Sequence, residues 1–228
     1  MTDIRADEYW AKKGDVDLFV FRKRQAGAAG RPMLFLVHGS SFCGPTGFDL
    51  QVPGRDDYSP MDRFAHAGFD VWTDKDAPTL IKRAENLDYF HTHNTRPVDR
   101  AFFESIFTRD KPGTSQQIVA ETLAATELQY GDTVPTGTYL DMCANLPVVD
   151  PTQITCPVMI ARGEHDGVAT EEDLMAFFKL LPNMDKQFCI FAGQAHVTPL
   201  GLDRHRFWHT MEAFLTLPDR LDQDMADG

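Results

Sequence analysis

The sequence predicts an α/β fold, in which a mostly parallel sheet is flanked by helices and a helical segment is inserted in the middle. Short apolar runs of strand length alternate with helical patterns at both ends of the chain, which is the rhythm of an α/β protein. The middle of the chain shows helical spacing alone. Over the whole chain, 43 % of residues are hydrophobic and 25 % are charged, which is the usual balance of a soluble globular protein. A length of 228 residues suits one domain with an elaboration.

Three strands and one helix are predicted before residue 75. Residues 16–21 alternate partially and indicate a first strand or hairpin arm. Residues 33–37 form a continuous apolar run, which is typical of a strand buried on both faces of a parallel sheet. A helical pattern at 61–67 then leads into a third strand at 69–73. Residues 1–74 are therefore expected to form the first half of the core.

From Asp76 to Leu146 apolar residues recur at helical spacing, and no run alternates with the period of a strand. Three Pro- and Gly-containing breaks divide the interval. We expect residues 75–150 to form an almost wholly helical layer that covers the carboxyl ends of the strands.

The alternation resumes after residue 151 and predicts the second half of the core over 151–228. A strand is expected at 157–161, followed by a helix that begins at Thr170, a favourable N-cap residue with acidic residues after it. A second strand at 187–191, a loop and a closing helix at 205–215 complete the pattern.

Composition excludes several classes of partner. Asp and Glu number 34 against 22 Lys and Arg, and the formal charge of −12 disfavours nucleic acid and anionic membranes. The first residues lack the apolar stretch of a secretory signal, and no run is long enough to span a membrane. Four cysteines without metal-ligand spacing predict reduced thiols and no metal site. We therefore expect a cytoplasmic protein.

Three polar sites stand where predicted strands end, which is where open parallel sheets bind ligands. They are the loop His38-Gly39-Ser40-Ser41, Asp166, and His196. One helix and one strand separate Asp166 from His196, so consecutive parallel strands bring the two loops together. An Asp hydrogen-bonded to one imidazole nitrogen leaves the other nitrogen as a general base. Glu164 is the rival for the acid.

This arrangement resembles the α/β-hydrolase superfamily, with a lid formed by the inserted helices. The resemblance implies acyl transfer in a serine esterase, with Asp166 and His196 as the acid and the base of a Ser-His-Asp triad. It also implies an oxyanion hole around Gly39, Ser40 and Ser41, a small carboxylic ester as substrate, and no cofactor. Side chains of the lid are expected to bind substrate. They are Phe107, Tyr139 and Arg109, with Arg96 and Arg109 candidates for a substrate carboxylate.

The sequence departs from that family at the nucleophile. The Gly-x-Ser-x-Gly elbow expected between Thr73 and the lid is absent, and the chain runs directly from Thr73 to Ala77. Two strand–helix units, about 60–80 residues, would occupy that place in the middle of the sheet. The expected result is two half-sheets with open edges, which favours closure, aggregation or a homodimer.

Several alternatives stay open at this point. Ser40 or Ser41 is a displaced nucleophile in one of them. A dehalogenase with an aspartate nucleophile uses the same missing elbow. A binding or scaffold protein that kept the fold without the chemistry is the alternative outside enzymes. Turnover of p-nitrophenyl butyrate distinguishes an active hydrolase from a binding or scaffold protein.

Overall fold

A computed structural model describes residues 3–27, 29–39, 41–74, 87–137, 139 and 149–218. The strands in these ranges are β1 (Ile4–Lys13), β2 (Val16–Gln25), β3 (Met33–Leu36), β4 (Asp70–Asp74), β5 (Thr95–Pro97), β6 (Thr133–Pro135), β7 (Val158–Gly163) and β8 (Lys186–Phe191). The helices are α1 (Gly44–Phe48), α2 (Pro60–His66), α3 (Leu87–Thr92), α4 (Arg100–Thr108), α5 (Gln117–Glu127), α6 (Glu171–Leu180) and α7 (Arg204–Leu215). None of the described helices is long and apolar enough to cross a membrane.

The strands form three sheets. The four-stranded sheet has the order β1-β2-β4-β3, in which β3 and β4 are parallel and the other pairs are antiparallel. β7 and β8 form a separate two-stranded parallel sheet, and β5 and β6 an antiparallel one. Within the described ranges no strand joins β3 to β7. The two half-sheets expected from the missing elbow are therefore present, while the expected join after Thr73 lies outside the described residues.

The open edge changes the surroundings of β3. The sequence predicts that this strand is buried on both faces, but Met33, Phe35 and Val37 are 70 %, 50 % and 72 % exposed. That prediction is wrong because no described element covers this face of the strand. Leu34 and Leu36 point to the other face, where they pack against a buried cluster that includes Phe64 and Val71.

α2 is tied to the four-stranded sheet by a buried lysine. Ser59 caps the helix by accepting a hydrogen bond from the Asp62 N–H at 2.9 Å. Lys23 of β2 is 9 % exposed and binds Asp49 at 2.7 Å and Asp62 at 2.8 Å. These ion pairs hold β2 against α2, because moving the helix and the loop away from Lys23 would leave its buried ammonium uncompensated.

The inserted segment is not wholly helical. Its described part contains α3, α4 and α5, but also β5 and β6, which pair from Thr95↔Pro135 to Pro97↔Thr133. The prediction of an almost strand-free lid is therefore wrong. Three-residue strands that end in proline are too short to show a period of two, so the sequence pattern misses them. Residues 75–86, 138 and 140–148 of the segment lie outside the described ranges.

Candidate active site

The acid and histidine loops follow the two strands of the β7–β8 sheet. These strands are parallel, with Gly163 opposite Phe191 where both end. Asp166 lies three residues beyond β7 and His196 five residues beyond β8, so the predicted juxtaposition follows from the register. The N–H of His165 donates to the carbonyl of Gln194 at 2.8 Å, which joins the two loops directly.

Gly163 allows that close approach. A Cβ atom at this position would lie 2.4 Å from the carbonyl oxygen of Ala195 and 2.6 Å from that of Gln194. Both are backbone atoms, which cannot move aside without moving the histidine loop. Any larger residue at 163 would therefore displace His196 from the acid.

The imidazole of His196 is hydrogen-bonded to Asp166. Its Nδ1 lies 3.1 Å from Oδ1 and 3.2 Å from Oδ2 of the carboxylate. The prediction that these two side chains lie within hydrogen-bond reach is confirmed. Glu164 instead accepts a hydrogen bond from the Gly193 N–H at 2.8 Å, so it is not the partner of the imidazole.

Asp166 is held in its ionised form. Burial acts to raise the pKa of this carboxyl, but the hydrogen bond and charge of His196 and the N–H groups of Val168 and Ala169 outweigh it, and the pKa is lowered. An ionised carboxylate only accepts hydrogen bonds, so the proton of the neutral imidazole lies on Nδ1. Nε2 is then left as the proton acceptor of the ring.

A pocket of about 270 Å³ adjoins His196. Its wall is mostly apolar and contains four of the predicted site residues, Gly39, Ser41, Arg109 and His196. The remaining lining residues are His38, Phe42, Gly47, Phe48, Ile106, Val197, Pro199 and Leu200. Ser40 lies outside the described residues. Mostly apolar walls with a few convergent polar groups are typical of a small-molecule site.

Two predicted substrate contacts lie elsewhere. Ile106 of α4 and Arg109, the C-cap residue of that helix, line the pocket, whereas Phe107 is 3 % exposed and packs in the core beneath the helix. Successive helical residues point about 100° apart, so neighbours on α4 have different surroundings. Tyr139 is fully buried and stacks on Phe90, with ring centroids 4.7 Å apart. The structure therefore brings neither Phe107 nor Tyr139 to the pocket.

The two arginines proposed for a carboxylate also differ. Arg109 lines the pocket, and its Nε lies 3.6 Å from Oδ1 of Asp110. Arg96 is 9 % exposed and does not line the pocket; its guanidinium lies over the ring of Phe102, 4.4 Å from the centroid. Arg109 is thus the arginine placed to meet a ligand.

The pocket-lining residues that the sequence analysis did not predict lie in short or irregular segments. Phe42, Phe48 and Pro199 lie in a loop, a five-residue helix and a single 3₁₀ turn. None of these segments has a period that marks one face as pocket-lining. Apolar residues directly after His196 are the one available signal, since a solvated loop has no need of Val197 and Leu200.

A second His–Asp pair occupies a larger, more open cavity of about 600 Å³. There His205 Nε2 lies 3.0 Å from Oδ2 of Asp57, but Arg204 is also bound to that carboxylate. The permanent positive charge of Arg204 neutralises part of the charge of Asp57. Asp57 would therefore stabilise a protonated His205 less strongly. The described lining of this cavity also lacks a loop resembling 38–42, so we assign the site to His196.

Among the described residues, no group of three or more His, Cys, Asp or Glu side chains is arranged to hold a metal ion. Cys43, Cys156 and Cys189 are free thiols, and Cys143 lies outside the described residues.

No protein-family model matches the chain, and no curated protein matches its sequence. Its structure, however, is similar to those of several hydrolases. An E-2-(acetamidomethylene)succinate hydrolase matches 93 % of this chain and 100 % of its own, at 13 % identity and a TM-score of 0.58. A carboxylesterase from Bacillus subtilis matches 93 % and 92 %, at 11 % identity and a TM-score of 0.59.

A soluble variant of the monoglyceride lipase from Saccharomyces cerevisiae matches 92 % of this chain and 96 % of its own, at 12 % identity and a TM-score of 0.60. These matches extend over both half-sheets and the inserted segment. At identities this low a likeness in structure is evidence of fold and not of activity. The chain therefore has the α/β-hydrolase fold.

Proposed function

We propose that the chain is a hydrolase of small carboxylic esters, with His196 as general base and Asp166 as the residue that orients it. The observation that carries the proposal is the hydrogen bond of 3.1 Å between these side chains at the wall of an apolar pocket. The same pocket is lined by Gly39 and Ser41, and in this proposal N–H groups of their loop stabilise the oxyanion.

In the proposed reaction Nε2 of His196 takes the proton of an attacking hydroxyl, whose oxygen bonds to the ester carbonyl carbon. The carbonyl electron pair moves onto its oxygen, where N–H groups of the loop around Gly39 and Ser41 would stabilise the charge. When the tetrahedral intermediate collapses, the alkoxide leaves and takes the proton from the imidazolium. Asp166 stabilises that imidazolium and keeps the ring in its reactive tautomer.

Ser41 carries the one hydroxyl among the described side chains that line the pocket. It is the candidate nucleophile in this chain; its acyl ester would then be cleaved by a water whose proton His196 takes, which releases the acid and returns the proton to Ser41. Water activated by His196 that attacks the substrate directly is the alternative. A fluorophosphonate probe separates them, because it forms a covalent adduct on an activated serine that peptide mass spectrometry locates. An adduct on Ser41 supports covalent catalysis, and hydrolysis without any adduct supports direct attack by water.

Hydrolysis of p-nitrophenyl butyrate tests the function itself. We expect His196→Gln to lower kcat by about 10²–10⁴-fold, which is the usual contribution of a general base. His165→Gln is the matched control, because it alters the neighbouring imidazole of the acid loop, which does not line the pocket. A wild-type protein with no turnover above buffer would refute the hydrolase and favour a binding protein of the same fold. Equal rates for the His196 variant and wild type would refute the role of the histidine.

A further inference from the structure

The pocket beside His196 is lined by a cationic side chain and by no acidic one. Among its described lining residues Arg109 carries the one permanent charge, and none is Asp or Glu. This lining differs from the chain as a whole, in which 34 Asp and Glu outnumber 22 Lys and Arg. A cleft with apolar walls and one sign of charge attracts ligands of the opposite sign. The pocket is therefore complementary to an anion.

Contact between Asp110 and Gly167 fixes the position of Arg109. A Cβ atom on Gly167 would lie 2.7 Å from Oδ1 of Asp110, so this carboxylate packs directly against the backbone of the loop that carries Asp166. The same Oδ1 lies 3.6 Å from Nε of Arg109. The C-terminal end of α4 thus rests on the acid loop, and Arg109 at its C-cap is held beside the candidate site.

The terminal nitrogens of Arg109 can still bind a ligand. Its ion pair with Asp110 is made through Nε, is longer than a hydrogen bond, and is weak because the arginine side chain is 36 % exposed. Within the described part of the chain, neither Nη1 nor Nη2 has a hydrogen-bond acceptor. The end of a guanidinium presents two parallel N–H groups, which match the two oxygens of a carboxylate.

We propose that the substrates of this site are esters that carry a second, ionised carboxyl group, which Arg109 binds while the ester carbonyl lies at His196. The proposal rests on the function proposed above and adds the class of substrate. The pocket of about 270 Å³ lies just below the range of about 300–1,000 Å³ found for drug-sized ligands, so a short half-ester of a dicarboxylic acid suits it. Phe42, Ile106 and Leu200 would contact the methylene groups between the two carboxyl carbons.

The charge of the pocket favours a carboxylate over a phosphate. A carboxylate carries a single charge, which one guanidinium compensates. A phosphate monoester carries about two charges at neutral pH, and the second would be left uncompensated against apolar walls.

Two p-nitrophenyl esters of similar length test the proposal. Mono-p-nitrophenyl glutarate carries the carboxylate, and p-nitrophenyl hexanoate does not. After correction for hydrolysis in buffer, we expect wild type to have a kcat/KM at least about tenfold higher for the glutarate ester, because hydrogen bonds between charged groups are strong. Arg109→Gln should lower the ratio of the two kcat/KM values toward one. Arg109→Lys should keep part of the preference, since it retains the charge without the paired N–H groups.

Arg100→Gln is the matched control. It removes a guanidinium from the same helix, where Arg100 Nη1 lies 3.2 Å from Oε1 of Glu104 and the side chain does not line the pocket. This variant should leave the ratio of the two kcat/KM values unchanged.

Binding without turnover separates this proposal from the proposed hydrolase. Glutaryl-p-nitroanilide has an amide in place of the ester, and titration calorimetry measures its Kd. Arg109→Gln should raise that Kd at least about tenfold, and Arg100→Gln should leave it unchanged. If neither ester is turned over, the hydrolase is refuted, and the anilide alone decides whether the pocket binds an anion. The proposal is overturned if wild type hydrolyses the two esters with equal kcat/KM, or if it binds the anilide no better than Arg109→Gln does.

Discussion

At the scale of single residues, Asp166 joins the candidate chemistry to folding stability. Its side chain is 10 % exposed, and its carboxylate accepts from His196 and from the N–H groups of Val168 and Ala169. Its carbonyl oxygen accepts from Nη2 of Arg162 at 2.9 Å. Because the contacts of the carboxylate with His196, Val168 and Ala169 lower the pKa of Asp166 in the folded chain, the unfolded chain binds a proton at this group more readily.

The predicted consequence is a defined dependence on pH. The contribution of Asp166 to the free energy of unfolding is complete above its unfolded pKa of about 3.8 and is lost as the pH falls through the lower folded value. Asp166→Asn should cost about 1–3 kcal/mol at neutral pH, and this difference from wild type should shrink below about pH 4. Urea unfolding of both proteins from pH 3 to pH 7 measures it.

Asp132→Asn serves as the control, because it alters an exposed carboxylate. If the difference in unfolding free energy between Asp166→Asn and wild type stays constant down to pH 3, the lowered pKa of Asp166 does not contribute to the stability of the fold.

The identity of the site residues was predictable where they follow regular strands. Asp166 and His196 come after apolar runs of strand length, so their proximity followed from the topology of two parallel strands. The choice between Asp166 and Glu164 did not follow. The choice depends on side-chain direction: Asp166 turns toward His196, and Glu164 toward the Gly193 N–H. The sequence does not indicate which of two acidic residues in one loop turns toward the histidine.

At the scale of elements, α5 holds the loop that follows β3. Glu127, the last residue of α5, is 7 % exposed, and its two carboxylate oxygens lie 3.1 and 3.2 Å from the N–H of Cys43. This contact joins the inserted segment to the loop that carries Gly39 and Ser41. Burial raises the pKa of the Cys43 thiol to about 11, and the charge of Glu127 adds to the effect. The thiol therefore stays protonated at neutral pH.

Substitution of Glu127 should distinguish the hydrogen bond from the charge. Glu127→Ala leaves the buried Cys43 N–H without an acceptor and should cost about 1–3 kcal/mol. Glu127→Gln keeps an oxygen acceptor of nearly the same shape, so its cost should be smaller. Urea unfolding measures both, with Glu121→Ala on the same helix as the control. If Gln destabilises as much as Ala, the amide does not replace the carboxylate as acceptor for Cys43.

Elements with a sustained period were predictable, and short or charged ones were not. α6 begins after Thr170, whose hydroxyl accepts from the Asp173 N–H at 3.1 Å as the capping pattern indicates. β1 was missed because its sequence IRADEYWAKK is mostly exposed and highly charged, although it pairs with β2 over its full length. Pairing with a neighbour, rather than burial of one face, defines that strand.

At the scale of the whole molecule, the buried core is unevenly distributed. The larger apolar cluster is built from α4, α5 and the loops at 50–58 and 197–200, and the smaller one from α2 and the four-stranded sheet. Neither cluster, among the described residues, contains a side chain of β7, β8 or α6. α6 has no buried residue at all. The sequence predicted the two half-sheets but not this imbalance, which depends on what covers each face.

The β7–β8 sheet should therefore open at a lower free energy than the rest of the chain. A two-stranded sheet is marginal without a packed face, and local opening follows the regions with the fewest buried apolar contacts. Native-state hydrogen exchange should show amides of β7 and β8 exchanging at least about tenfold faster than those of α5.

Phe188→Ala, which removes the ring that packs on Phe178 at a centroid distance of 5.6 Å, should accelerate exchange in β7 and β8 alone. Leu123→Ala in the fully buried core of α5 lowers global stability, so it should accelerate exchange in α5 and leave β7 and β8, which exchange by local opening, nearly unchanged. Equal protection of β8 and α5 in the unmodified chain would mean that the two half-sheets unfold as one cooperative unit.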